Sequence, residues 1–249
     1  MISNNGGIDR ICRNFDNTPT IINSEILENC IFSNSIPGLH DAVIDKDFIE
    51  DMKSIADSYQ ISSDFIKVLT EVNNLVNGYF FSSNSDGVSR ESAYQNGVVH
   101  DEDGMAVGVN MSSLKGKNVA KCSEKSIATY FILSQLLKGK RFKPSLVLSC
   151  LKSEGNSGPH AFLLLDCVQN EYPLKHILFD VHNPTLINFD GRETVFAGIY
   201  ALTDEDYDCV LNGFEFTPTS LYELCYPNCN EVNKNRIYGG KSKEKLNSK

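Results

Sequence analysis

Between Ser145 and Leu202 the chain carries four apolar runs of strand length, "SLVLSCL", "HAFLLLDCV", "KHILFDV" and "ETVFAGIYAL", the last after the turn signal "DGR". Their connections are too short to hold crossover helices, so successive strands are expected to pair antiparallel. A sheet of this kind needs a cover, and the preceding segment supplies one. "CSEKSIATYFILSQLLKGK", Cys122 to Lys140, places Ile127, Tyr130, Phe131, Leu133, Leu136 and Leu137 around more than one helical face, which describes a largely buried helix stopped by Gly139. Two further amphipathic helices are expected upstream, in "DKDFIEDMKSIADSY" and "SSDFIKVLTEVNNLVNGYFF". In the second, Phe65, Leu69, Val72 and Val76 recur at threes and fours; Ser62 or Ser63 is the expected cap and Gly78 the expected end. The pattern is α+β, helices first and a mainly antiparallel sheet after them.

Around this centre the chain divides by composition. Residues 1–45, rich in Asn, Ser, Thr, Asp and Pro, read as an irregular lead-in. Residues 46–235 read as one domain, and the Lys-rich 236–249 as a solvated basic tail. The polar stretch 82–117 reads as a long loop, interrupted by a short strand at "MAVGVNM", that could cover a cleft. With 249 residues, 41% of them apolar, the chain can build a substantial core. Its net charge of −9 disfavours broad contact with a phosphate backbone, so no nucleic-acid partner is expected. Eight cysteines in a chain this large, several inside apolar runs, read as thiols in a reducing compartment rather than as a disulfide framework. The N-terminus has no apolar signal-like segment and no membrane-length apolar run occurs. The expected location is therefore the cytoplasm, or another cell reached by export without a cleaved leader.

Three residues then stand out at the ends of these elements. Cys122 falls at the first turn of the buried helix, where unpaired N–H groups and the positive helix end favour thiolate and could hold an oxyanion. His160 begins a strand directly after the "EGNSGP" loop, where a ring facing the helix start could take the thiol proton. On that strand His160, Phe162, Leu164 and Asp166 share one face, but Asp166 lies about 20 Å along the strand from His160 and cannot orient its ring. Asp180 ends the next apolar run and can reach it, holding one ring nitrogen while the other acts as base.

The order Cys, His, Asp, with gaps of 38 and 20 residues, and the strings "KCSEKSIA", "GPHAFLLL" and "ILFDVHNP" resemble the catalytic core of the transglutaminase-like superfamily of papain-like cysteine enzymes. The resemblance covers residues 115–184. It implies a papain-like/transglutaminase-like core with Cys122, His160 and Asp180 as catalytic residues and Asn183-Pro184 as the turn after the acid. The chain departs from that family in having no tryptophan, offering Ser123 beside the nucleophile and Phe162 after the histidine. This weakens a protein-crosslinking role more than it weakens the triad.

The expected chemistry is thiol hydrolysis of an amide in a protein or peptide through a thioester, as in a glutamine deamidase or a cysteine protease. Acyl transfer to an amine, and a catalytically inactive protein-binding module, are the alternatives. The Cys122 N–H and a group from "GKNVAK", Asn118 among them, are the candidate oxyanion donors. No cofactor and no metal are expected: Cys225 and Cys229 flank Pro227 without a second pair, and His176 and His182 complete no four-ligand set.

Overall fold

The computed structural model describes the chain except residues 1, 6–7, 13–17, 24–29, 34–40, 84–91, 93–94, 101–102, 154–155, 169–173, 227 and 243–249. Three helices lead the architecture: α1 (Lys46–Ser58), α2 (Phe65–Phe80) and α3 (Cys122–Leu136). Asp45 caps α1 by accepting from the N–H of Phe48 at 3.1 Å. The cap of α2 is Asp64, not a serine: its carboxylate accepts from the N–H of Lys67 at 3.2 Å, while Ser62 Oγ accepts from Asp64's own N–H. Gly78 does not end this helix, which runs two residues further.

The main sheet has eight strands. Its continuous path is β12 (Thr219–Ser220), β11 (Arg192–Leu202), β10 (His176–Phe189), β9 (Asn156–Cys167), β8 (Phe142–Ser153) and β14 (Ile237–Tyr238). In addition, β3 (Thr20–Ile22) pairs with β8, and β13 (Cys229–Glu231) with β10. Every one of these pairings is antiparallel, as the short connections require. A second sheet of six strands runs β1 (Ile2–Asn5), β2 (Ile8–Cys12), β4 (Ile31–Ser33), β5 (Ala42–Val43), β7 (Ala106–Asn110) and β6 (Val98–His100). Among the described residues there are also a 3-10 turn at Met111–Leu114 and two short helices, α4 (Asp204–Asn212) and α5 (Leu221–Cys225). Among the described residues no helix is long and apolar enough to cross a membrane.

Strand alternation separates two cores across the main sheet. On one face Leu163, Leu165, Ile177, Phe179 and Ile199 join Ile127 and Leu133 of α3 and the apolar stripes of α1 and α2. On the other, Val147, Phe162, Leu164, Leu178, Tyr200 and Tyr238 pack with Val210 and Phe216. Most of these side chains are fully buried, each worth about 1.5–3 kcal/mol of transfer free energy.

Three expectations need correcting. The lead-in contributes β3 to the main sheet, and Ile22, Cys30, Ile31 and Ile44 are buried. Its strands, two to five residues long, show no readable period. Residues 82–117 are more than a single loop and strand, since β6 and β7 form a hairpin within them. Residues 236–242 are built into the fold: Tyr238 is wholly buried and β14 pairs with β8. The rest of the expected basic tail, 243–249, lies outside the described residues.

Candidate active site

α3 starts where it does because of Glu124. Lys121 is extended, and the fully buried Glu124 carboxylate reaches back to accept from its N–H at 2.9 Å and from Ser123 Oγ at 3.0 Å. That back-bond marks Cys122 as the first helical residue, and the carboxylate is turned toward these donors. The first N–H groups of a helix have no partner inside it, so the Cys122 N–H is left pointing along the axis beside its own sulfur.

The strands bring the base and the acid to the same place. β9 stays paired to β8 along its length, with His160 opposite Ser149, whereas the β9–β10 ladder stops at the pair Leu163 and Phe179. Beyond that pair the two strands part, and His160 and Asp180 occupy the gap on the same sheet face as Phe162, Leu164 and Leu178. Cys122 is a neighbour of His160 and helps to raise the pKa of its ring. The ring is held by Asp180, with His160 Nε2 2.7 Å from Asp180 Oδ2. Cys122 is half-buried, while His160 is 4% and Asp180 0% exposed, so the sulfur is the accessible member of the three.

Asp180 is clamped by five donors. Oδ2 accepts from His160, from the hydroxyl of Tyr238 at 2.8 Å and from Asn183 Nδ2 at 3.0 Å; Oδ1 accepts from the N–H groups of His182 and Asn183, both at 3.1 Å. The two backbone donors come from a bulge. In the β10–β11 register Asp180 pairs with Gly198 and Thr185 with Phe196, so Val181 to Pro184 stand against a single residue. Gly198 is what admits the bulge, because a Cβ there would lie 2.5 Å from the Asn183 carbonyl oxygen and 2.7 Å from that of Asp180. Arg236 braces it from outside, donating to the carbonyls of Asn183 at 3.1 Å and Pro184 at 2.8 Å and to the Tyr200 hydroxyl at 3.0 Å.

These contacts set the protonation of the pair. Burial alone would drive the His160 ring toward its neutral form, but the adjacent Asp180 charge and hydrogen bond outweigh it, and the ring's pKa rises to about 10. Burial likewise opposes the Asp180 carboxylate, yet the His160 charge and the donors from His160, Asn183 and Tyr238 hold its pKa well below the usual carboxylate range. Burial and the nearby Asp180 push the Tyr238 hydroxyl well above its ordinary value, which keeps it a donor.

Lys125 lies one turn from Cys122 on the same helix face and donates to Asn77 Oδ1 at 2.7 Å. A cavity of about 320 Å³ opens between it, Asn77, Phe80, Phe81 and Ala120, directly flanking Cys122 in sequence. Burial lowers the pKa of Lys125, and burial followed by the Lys125 charge lowers that of His182, whose Nδ1 is buried without a hydrogen-bond partner. Asn118 also lines this cavity, but its amide is already engaged: it donates to the Ser82 carbonyl at 2.9 Å and accepts from the Ser82 N–H at 3.2 Å. It is held in left-handed backbone at φ 57° and stitches the end of α2 to the approach to α3, with one of its two amide N–H groups engaged.

The structure thus gathers Cys122, His160 and Asp180 and places Asn183 against both the ring and the acid. Asp166 is elsewhere, bonded to His176 Nδ1 at 2.8 Å at the far end of the same two strands. The sequence reading missed Gly198, Tyr238, Arg236 and Lys125; a lone aromatic in "RIYGG", inside an otherwise Lys- and Asn-rich segment, was the available sign of Tyr238. Comparison with protein-family models, with curated proteins and with solved structures returns no match to this chain.

Proposed function

We propose that the protein is a cysteine-dependent amide hydrolase acting on a protein or peptide through a thioester, with a transglutaminase-like catalytic core. The observation that carries this reading is the clustering of a half-buried cysteine at a helix start, a neighbouring buried imidazole whose pKa it helps to raise, and a buried, five-donor carboxylate that locks one ring nitrogen. A histidine with only a structural role has no need of a thiol neighbour at a helix tip.

In this mechanism His160, with a pKa of about 10, stands protonated at neutral pH beside the Cys122 sulfur, which reacts as the thiolate and attacks the amide carbonyl carbon. The oxygen takes up the negative charge against the Cys122 N–H and the positive end of α3. His160 gives its proton to the nitrogen of the collapsing intermediate, the C–N bond breaks, and ammonia or an amine leaves a thioester on Cys122. Water, deprotonated by the same ring, attacks the thioester; the C–S bond breaks and leaves the thiolate beside the reprotonated ring. A primary amine in place of water would give transfer. Asp180 keeps its negative charge throughout and fixes the tautomer and direction of the ring. The cavity between Asn77, Phe80 and Lys125, the last one helical turn after Cys122, is the candidate place for the acyl side of the substrate.

The test is covalent capture. Iodoacetamide is expected to label Cys122 in preference to the other thiols, and Cys122→Ala to abolish the fast-labelling fraction, as read by intact mass. Labelling that survives the substitution unchanged rejects Cys122 as the nucleophile.

A further inference from the structure

At the other end of α3 lies a second and larger cavity, of about 640 Å³, walled by the start of β8, the last turns of α3 and one side of α1. Its rim carries Lys53, Lys138, Lys140 and Lys143, all exposed, and among the described residues no acidic side chain lines it. On a chain with 32 acidic and 23 basic residues that is a marked local reversal of charge. Elsewhere lysines find carboxylates, as in Lys115 with Asp51, Lys175 with Asp204 and Lys234 with Glu223. None of the four rim lysines has such a partner among the described residues.

Lys138 and Lys140 follow the C-terminus of α3, where cations complement the negative helix end. That accounts for two of the four; Lys53 comes from α1 and Lys143 from β8, and neither is near a helix terminus that it would complement. The walls between the lysines are aromatic: Phe131 is half-buried and reachable, backed by the buried Phe142 and Tyr130. Ser134, on the same wall, has a hydroxyl with no hydrogen-bond partner.

We infer that this cavity binds a small molecule joining a phosphate chain to a planar ring, the chemistry of a nucleoside di- or triphosphate. Lysines act as point charges for phosphate, aromatic walls take a ring face, and the volume falls within the roughly 300–1,000 Å³ of small-molecule pockets. The site is separate from Cys122, at the opposite end of the same helix, and the inference stands whether or not the thiol chemistry does.

The experiment is titration of the full chain with ATP by calorimetry, alongside tripolyphosphate and adenosine, at two salt concentrations. Saturable ATP binding that weakens with salt, and that falls about tenfold or more in Lys53→Glu/Lys143→Glu, is the expected result. These side chains are exposed, so an unchanged thermal midpoint verifies that the variant folds. No measurable ATP binding, or undiminished binding in the variant, overturns the assignment. Tripolyphosphate binding as tightly as ATP overturns the role of the aromatic wall, and adenosine binding as tightly as ATP overturns that of the lysines.

Discussion

Strands β9 and β10 exchange two histidine–carboxylate pairs, one at each end of their shared ladder. His160 of β9 meets Asp180 of β10 at 2.7 Å, and His176 of β10 meets Asp166 of β9 at 2.8 Å. Residue types are the same and the bond lengths agree within 0.1 Å, through Nε2 in the first pair and Nδ1 in the second; the surroundings differ. The first pair is 4% and 0% exposed, takes five donors on its carboxylate and has a cysteine as a neighbour that helps to raise the ring's pKa. The second is 16% and 31% exposed, its ring stacked on Tyr207 with centroids 3.7 Å apart. The comparison teaches that the bond alone carries no chemistry. What distinguishes His160 is exclusion of water from the ring together with a neighbouring sulfur, and that follows from where the two strands part.

The largest expected effect is that of Asp180→Asn. It leaves a buried ring without its counter-charge, so stability is expected to fall by about 3–5 kcal/mol and turnover by on the order of 10³–10⁴-fold, measured by urea unfolding and by acyl-enzyme formation. The same variant alters the response to pH. His160 binds its proton more tightly in the folded state, so its share of stability is complete below its ordinary value of 6.5 and is lost as pH rises toward about 10. Asp180 runs the other way, its share complete above its ordinary 3.8 and lost on acidification through a folded value well below that. The parent is therefore most stable between these two ordinary values, and its thermal midpoint should decline through the alkaline range; in Asp180→Asn that decline should flatten.

Gly198→Ala comes next. The added methyl drives the bulge off the neighbouring strand, at an expected cost of about 1–3 kcal/mol, with a fall in Cys122 labelling because the backbone donors to Asp180 move with it. A labelling rate and stability equal to the parent's would show that the bulge does not position the acid. Tyr238→Phe removes one donor of five and should cost about 0.5–1.5 kcal/mol, displacing the pH profile of labelling without changing the fold. Smallest is Asp166→Asn, expected to cost at most about 1 kcal/mol and to leave labelling untouched. An effect of Asp166→Asn as large as that of Asp180→Asn would break the contrast between the two pairs.

What could be read from the sequence follows the same division. Cys122 starts its helix as expected, but His160 and Asp180 lie inside their strands, β9 beginning four residues before the histidine and β10 running nine beyond the acid; the long, regular apolar runs around them are what made the three positions stand out. The α+β arrangement was legible for the same reason, in antiparallel strands joined by links too short for helices. The bulge was not, because it depends on a glycine in the next strand that reads merely as an interruption in "FAGIY". Nor was Tyr238, since its lysine- and asparagine-rich neighbours outweigh one aromatic in any window. The second sheet is built of strands two to five residues long, below the length at which alternation can be counted.

Tyr238 stands 58 residues beyond the carboxylate it binds. Translation therefore makes the other four donors to Asp180 before the fifth, and a polypeptide released ahead of that point lacks the Tyr238 hydroxyl. Full satisfaction of this buried carboxylate is tied to the arrival of its latest strand.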